Sequence, residues 1–70
     1  MDLRDKIREL ADERGTTFTK IEQRCGLGNG SIRLWCDGRY PSADRLYRVA
    51  MFLGTTVDAI MEETYKRGNV

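Results

Sequence analysis

The stretch CGLGNGSIRLWCDG, Cys25 to Gly38, decides how this chain folds. Glycine stands at positions 26, 28 and 30, and Ile32, Leu34 and Trp35 follow directly. Alternate glycines suit either a loop wrapped round a phosphate or a tight turn feeding a helix. A dinucleotide loop needs GxGxxG between a strand and a helix. Here the spacing is GxGxG, Ser31 follows, and the pattern before it is helical. A Walker loop ends in Gly-Lys-Ser/Thr, and that ending is missing.

The turn explains each residue in order. Gly26 takes the left-handed conformation that ends a helix. Leu27 tucks into the angle between two helices, and Gly28 sits at the cap of the next. Two short helices so joined form a helix-turn-helix unit, spanning about residues 17–37. Gly30 then falls in the first turn of a third helix, about residues 29–36, where glycine costs roughly 1 kcal/mol relative to alanine. Lack of a Cβ lets the helix N-terminus approach bases or a phosphate; the plainer account is a weak site tolerated by drift. On either account Gly30→Ala is expected to stabilise the fold by roughly 0.5–1 kcal/mol. Only the first predicts a loss of DNA affinity.

The surrounding pattern is helical throughout. Leu3, Ile7, Leu10 and Ala11 define the face of a first helix, ended by Gly15. Phe18, Ile21 and Cys25 define a second, capped by Thr17 or, through a Thr19-x-x-Glu22 capping box, two residues later. Ile32 and Trp35 point inward from the third, which Asp37-Gly38 closes. Pro41-Ser42 starts a fourth with the stripe Leu46, Val49, Ala50 and Leu53, and Thr56 caps a fifth. The expected fold is all-α, five helices in one domain covering residues 1–70.

Composition narrows the function. Seventy residues, 40% hydrophobic and 33% charged, suit one globular domain near the lower size limit for an unaided core. There is no histidine, and Cys25 and Cys36 form no CxxC pair, so no metal or other cofactor is expected. General acid–base chemistry has nowhere to sit, and an enzyme is not expected. The two cysteines suit small buried thiols in a reducing compartment. With no apolar run of membrane-spanning length and no signal-like opening, a cytoplasmic location without membrane or small-molecule partners is expected. Net charge is only +1, yet residues 24–48 hold five arginines against two aspartates. Such a bias is either a solvated face or the footprint of an anionic partner.

From Leu3 to Met61 the chain resembles the Cro/CI-type helix-turn-helix regulators, the XRE family that includes many phage repressors. The resemblance is carried by GTTFTKIEQRCGLGNGSIRLWCDGRYPS followed by RLYRVAMFLGTTVDAIM. Its matching features are Gly15, Ile21, Gly26, Ile32, Trp35, Gly38, Pro41, the Val49-Ala50 pair and Leu53-Gly54. It implies a lambda-repressor-like DNA-binding domain, acting as a prophage-type transcriptional regulator of the repressor kind. Four positions depart from the family's pattern. Phe18 stands in place of a glutamine, and Glu22 in place of a small alanine. Cys36 stands in place of an acidic residue, and Ala11 in place of its arginine partner. Glu22 is expected near the helix crossing, turned to solvent, or paired with Arg24 or Arg33.

With Ile32 and Trp35 inward, the third helix shows Asn29, Gly30, Ser31, Arg33 and Leu34 to solvent. Asn29 suits adenine and Arg33 guanine in the major groove, and Leu34 a thymine methyl. Against these stand a local cap for Asn29, a solvated charge for Arg33 and partial core for Leu34. Gly30 allows close approach to the bases. Ser31, Arg39, Tyr40, Ser42, Lys20 and Arg24 are candidates for the phosphate backbone. The family resemblance further implies a homodimer on an inverted-repeat operator of double-stranded DNA, paired through Ile60, Met61 and Tyr65. The competing class is a protein-interaction module on the same fold, such as an antitoxin or antirepressor-like partner.

Overall fold

Apolar residues at positions 3, 7 and 11 share one helical face, and this face is buried. The computed structural model describes residues 2–65, in which α1 (Leu3–Arg14) buries Leu3, Ile7 and Ala11. α2 (Phe18–Cys25) buries Ile21, Glu22 and Cys25. α3 (Ala43–Phe52) buries Leu46, Val49 and Ala50. α4 (Val57–Tyr65) contributes Ile60, which is fully buried. α1 packs on α4, α2 on α3 and α3 on α4, while the stretch between α2 and α3 lies against α1 and α2. Leu10, Phe18, Leu27, Val57 and Met61 close the core from its edges.

Hydrogen bonds at the helix ends explain the boundaries. Thr17 Oγ1 accepts from Lys20 N at 3.3 Å and starts α2, so the alternative box from Thr19 does not form. Ser42 Oγ and Thr56 Oγ1 cap α3 and α4 in the same way, accepting from Arg45 N at 3.3 Å and Ala59 N at 3.1 Å. At the other ends, Thr16 N, Leu27 N and Thr55 N donate back to the carbonyls of Ala11, Glu22 and Ala50 at 2.8–2.9 Å. These are the six-to-one bonds of a Schellman ending. Gly26, at φ +71, supplies the left-handed residue that the α2 ending requires.

Four α-helices form among the described residues, not five, and no strand. The expected third helix over 29–36 is replaced by one 3-10 turn, Ile32–Leu34. The reason is local. Gly28 and Gly30 are poor helix formers, and Gly30 stands at φ +80, outside any right-handed helix. Beyond the turn, Trp35 adopts φ −84 and ψ 67, the inverse γ conformation, with Cys36 N donating to Leu34 O at 2.9 Å. This geometry stops the helix and frees the Trp35 carbonyl, which accepts from Arg4 N at 2.9 Å and satisfies an open N–H of the first turn of α1. Asp2 starts α1 without a side-chain cap, and the Trp35 carbonyl takes up one of the N–H groups that such a cap would serve. No helix among the described residues is long and apolar enough to cross a membrane.

Candidate functional site

The 29–34 segment is too short to stabilise itself and is held from two sides. Ile32 is fully buried and Trp35 is 6% exposed, so both anchor in the core as their sequence pattern predicts. From α2, the Glu22 carboxylate accepts from Gly30 N through Oε1 and from Ile32 N through Oε2, each at 3.0 Å. Glu22 is only 4% exposed, and among the described residues it makes no ion pair. It therefore turns neither to solvent nor to Arg24 or Arg33, the expected alternatives. It ties the turn to the helix.

Outward residues follow from these anchors. Asn29 and Arg33 are exposed, and Leu34, 53% exposed, is not core. Asn29, Gly30 and Arg33 line one open cleft of about 300 Å3 with Phe18, Thr19 and Glu22 of α2. Leu34, Lys20, Arg24, Arg39, Tyr40 and Ser42 are exposed but lie outside that cleft. Lys20 and Arg24, four apart on α2, share one face. Arg39 and Tyr40 follow a tight turn in which Asp37 and Gly38 both have positive φ and Arg39 N donates to Cys36 O at 2.9 Å. Ser42 spends an oxygen lone pair on capping α3.

Several expectations need correction. Gly30 does not let a helix N-terminus approach a phosphate. Its N–H is already bound to a carboxylate, and its positive φ turns the chain so that the Ile32 N–H meets the same group. Ser31 donates its hydroxyl proton to Gly28 O at 2.7 Å, so that proton is not available to a phosphate while the turn is intact. Ile60, expected in a dimer contact, is wholly inside the core of its own chain. Met61 is half-buried, and the side chain of Tyr65 falls outside the described residues. Cys25 is buried as expected, but Cys36 is only half-buried. Burial pushes the Cys25 thiol up, with Arg48 pulling the other way. Cys36 lies near the Arg4 guanidinium, whose pKa it raises.

Two functional contacts were missed. Arg48 belongs to the arginine-rich segment, yet it donates through Nη1 to Cys25 O at 2.9 Å and pairs with Asp44. It caps the end of α2 instead of simply adding to an outward charge. Its signal in the sequence was the i, i+4 pair Asp44–Arg48. The sequence marks Glu22 as a capping-box partner of Thr19 and as a departure from a family pattern, not as an anchor of the turn. Its bonds to Gly30 and Ile32 reach eight and ten residues along the chain, so no local pattern pointed to them.

The sign of one substitution reverses on this geometry. Gly30→Ala is expected to destabilise the fold by about 1–2 kcal/mol, because an L-residue at positive φ is strained. The space itself is tolerant, since an added methyl would meet the flexible Arg33 guanidinium at 3.5 Å. Thermal melting of the variant checks this, and a raised melting temperature would restore the helical reading of residue 30.

Comparison with protein-family models, curated proteins and solved structures finds no match for the chain.

Proposed function

We propose that this chain is a sequence-specific double-stranded DNA-binding regulator of the repressor kind, with α2 and the 29–34 turn as a lambda-repressor-like helix-turn-helix. The observation that supports it most is the turn itself. Its inward residues, Ile32 and Trp35, are core, while its outward residues, Asn29, Arg33 and Leu34, are the types that recognise adenine, guanine and a thymine methyl. Because the turn is not a helix, base reading falls to a short turn beside a cleft, with no helix dipole to assist it. Phosphate contacts are assigned to Lys20, Arg24, Arg39, Tyr40 and Ser42, all exposed around it. Twofold pairing on an inverted repeat stays part of the proposal, through Met61 and Tyr65 without the buried Ile60.

A second reading, a protein-interaction module, draws on Tyr47, Met51 and Phe52, which are 56%, 60% and 41% exposed on α3. Selection from a random duplex library followed by mobility shift separates the two, because only a regulator enriches a sequence above bulk DNA.

Salt tests the backbone contacts. Each neutralised phosphate contributes about −0.9 to the slope of log K against log salt. Arg39→Ala is expected to flatten that slope by about one unit and to weaken selected and unselected duplexes alike. An unchanged slope would remove Arg39 from the backbone set.

A further inference from the structure

We propose that Glu22 is a positioning residue, whose buried carboxylate sets the conformation in which the 29–34 turn presents Asn29 and Arg33 to DNA. The proposal rests on the DNA-binding reading above and adds to it the device that gives a non-helical turn a defined shape. A recognition helix is shaped by its own hydrogen bonds. The 3-10 turn has only Leu34 N to Ser31 O at 3.1 Å and Trp35 N to Ile32 O at 2.9 Å. Upstream of them Asn29 lies in a turn closed by Ser31, whose N and Oγ both donate to Gly28 O, at 3.1 and 2.7 Å, and none of these bonds ties the segment to a helix.

Glu22 supplies that tie to α2. Its two oxygens accept from residues on either side of Ser31, and the positive φ of Gly30 brings both N–H groups to the same carboxylate. Backbone N–H groups converging in this way form an anion-binding concavity. In this chain the anion is internal. A buried carboxylate with no cationic partner is costly, and hydrogen bonds to both oxygens offset that cost. The same carboxylate forms one wall of the cleft that Asn29 and Arg33 line, so the group that holds the turn adjoins the group that reads.

Glu22→Gln keeps the size of the side chain but puts an NH2 where one acceptor was, so one of the two N–H groups faces a donor. The probes are the best duplex that the parent enriches from a random library and an unselected duplex of equal length, titrated at one salt concentration. Folding at the assay temperature is checked by circular dichroism. Affinity for the selected duplex is expected to fall about ten- to a hundredfold, the loss of a hydrogen bond to a charged group. Affinity for the unselected duplex, set by phosphate contacts, is expected to stay within about twofold. Glu22→Asp keeps the charge but is one methylene too short to reach both N–H groups. It is expected to lose discrimination in the same direction, so it serves as the test if the glutamine variant does not fold. Parent-like binding of both duplexes, or an equal loss for both, would overturn the positioning role and leave the DNA reading standing. If the parent enriches no duplex, the DNA reading fails and the positioning role fails with it.

Discussion

Ile32→Ala is expected to reduce the free energy of unfolding by about 2–5 kcal/mol, the range for truncating a buried isoleucine to alanine. The upper half of that range is favoured by the position of the side chain. Ile32 is fully buried, and it belongs to a three-residue element that has no second turn to share the load. Its own N–H is bound to Glu22, so the apolar anchor and the polar latch act on one residue. Collapse of neighbouring side chains into the void would pull the turn away from the carboxylate. A domain of this size has a total stability of roughly 4–10 kcal/mol. At the lower end of that range such a loss leaves the variant partly unfolded near room temperature, and at the upper end it lowers the melting temperature of a folded domain. Urea titration followed by circular dichroism measures the change. A loss below about 1 kcal/mol would mean that the turn is held mainly by other contacts, with Trp35 the first candidate.

The parts of this fold that the sequence made legible are those ruled by one local signal. The stripe Leu46, Val49, Ala50 and Leu53 marks a buried helical face, and all four residues are buried. Thr17, Ser42 and Thr56 each stand one residue before a helix and cap it. Helix ends at Gly15, Gly26 and Gly54 were visible because a Schellman ending needs its residue types in a fixed order. The third helix was misjudged because two signals met there. Apolar spacing at Ile32 and Trp35 suits a helix, but it suits equally any turn that points both residues inward. Gly28 and Gly30 argued the other way, and only the long-range bonds from Glu22 show why they prevail. A contact between residue 22 and residues 30 and 32 has no local signature. For the site, residue type and exposure were legible at Asn29 and Arg33, while Leu34, open between contact and partial core in the sequence, is exposed in the fold. What Ser31, Ile60 and Arg48 bond to or pack against was not legible, because partners come from the tertiary fold.

Arg33→Ala is the change expected to cost most in recognition while sparing the fold. Arg33 is exposed and lines the cleft beside Asn29, so removing its side chain should shift stability by no more than about 0.5 kcal/mol. A bidentate contact to guanine is worth about 1–3 kcal/mol of discrimination. Affinity for a selected duplex is thus expected to fall roughly 5- to 150-fold, with preference relaxed at a single base pair. This pattern separates Arg33 from Arg39, whose loss should weaken every sequence alike. Coupling to Glu22 follows from the geometry. If the carboxylate positions the turn that carries Arg33, much of the discrimination lost in Glu22→Gln is already absent in Arg33→Ala. The double variant should then lose less than the sum of the two single losses. Competition titrations of the four proteins against duplexes altered at each base pair give both results. Equal weakening across all sequences would make Arg33 a phosphate contact, and strict additivity would separate it from the turn that Glu22 holds.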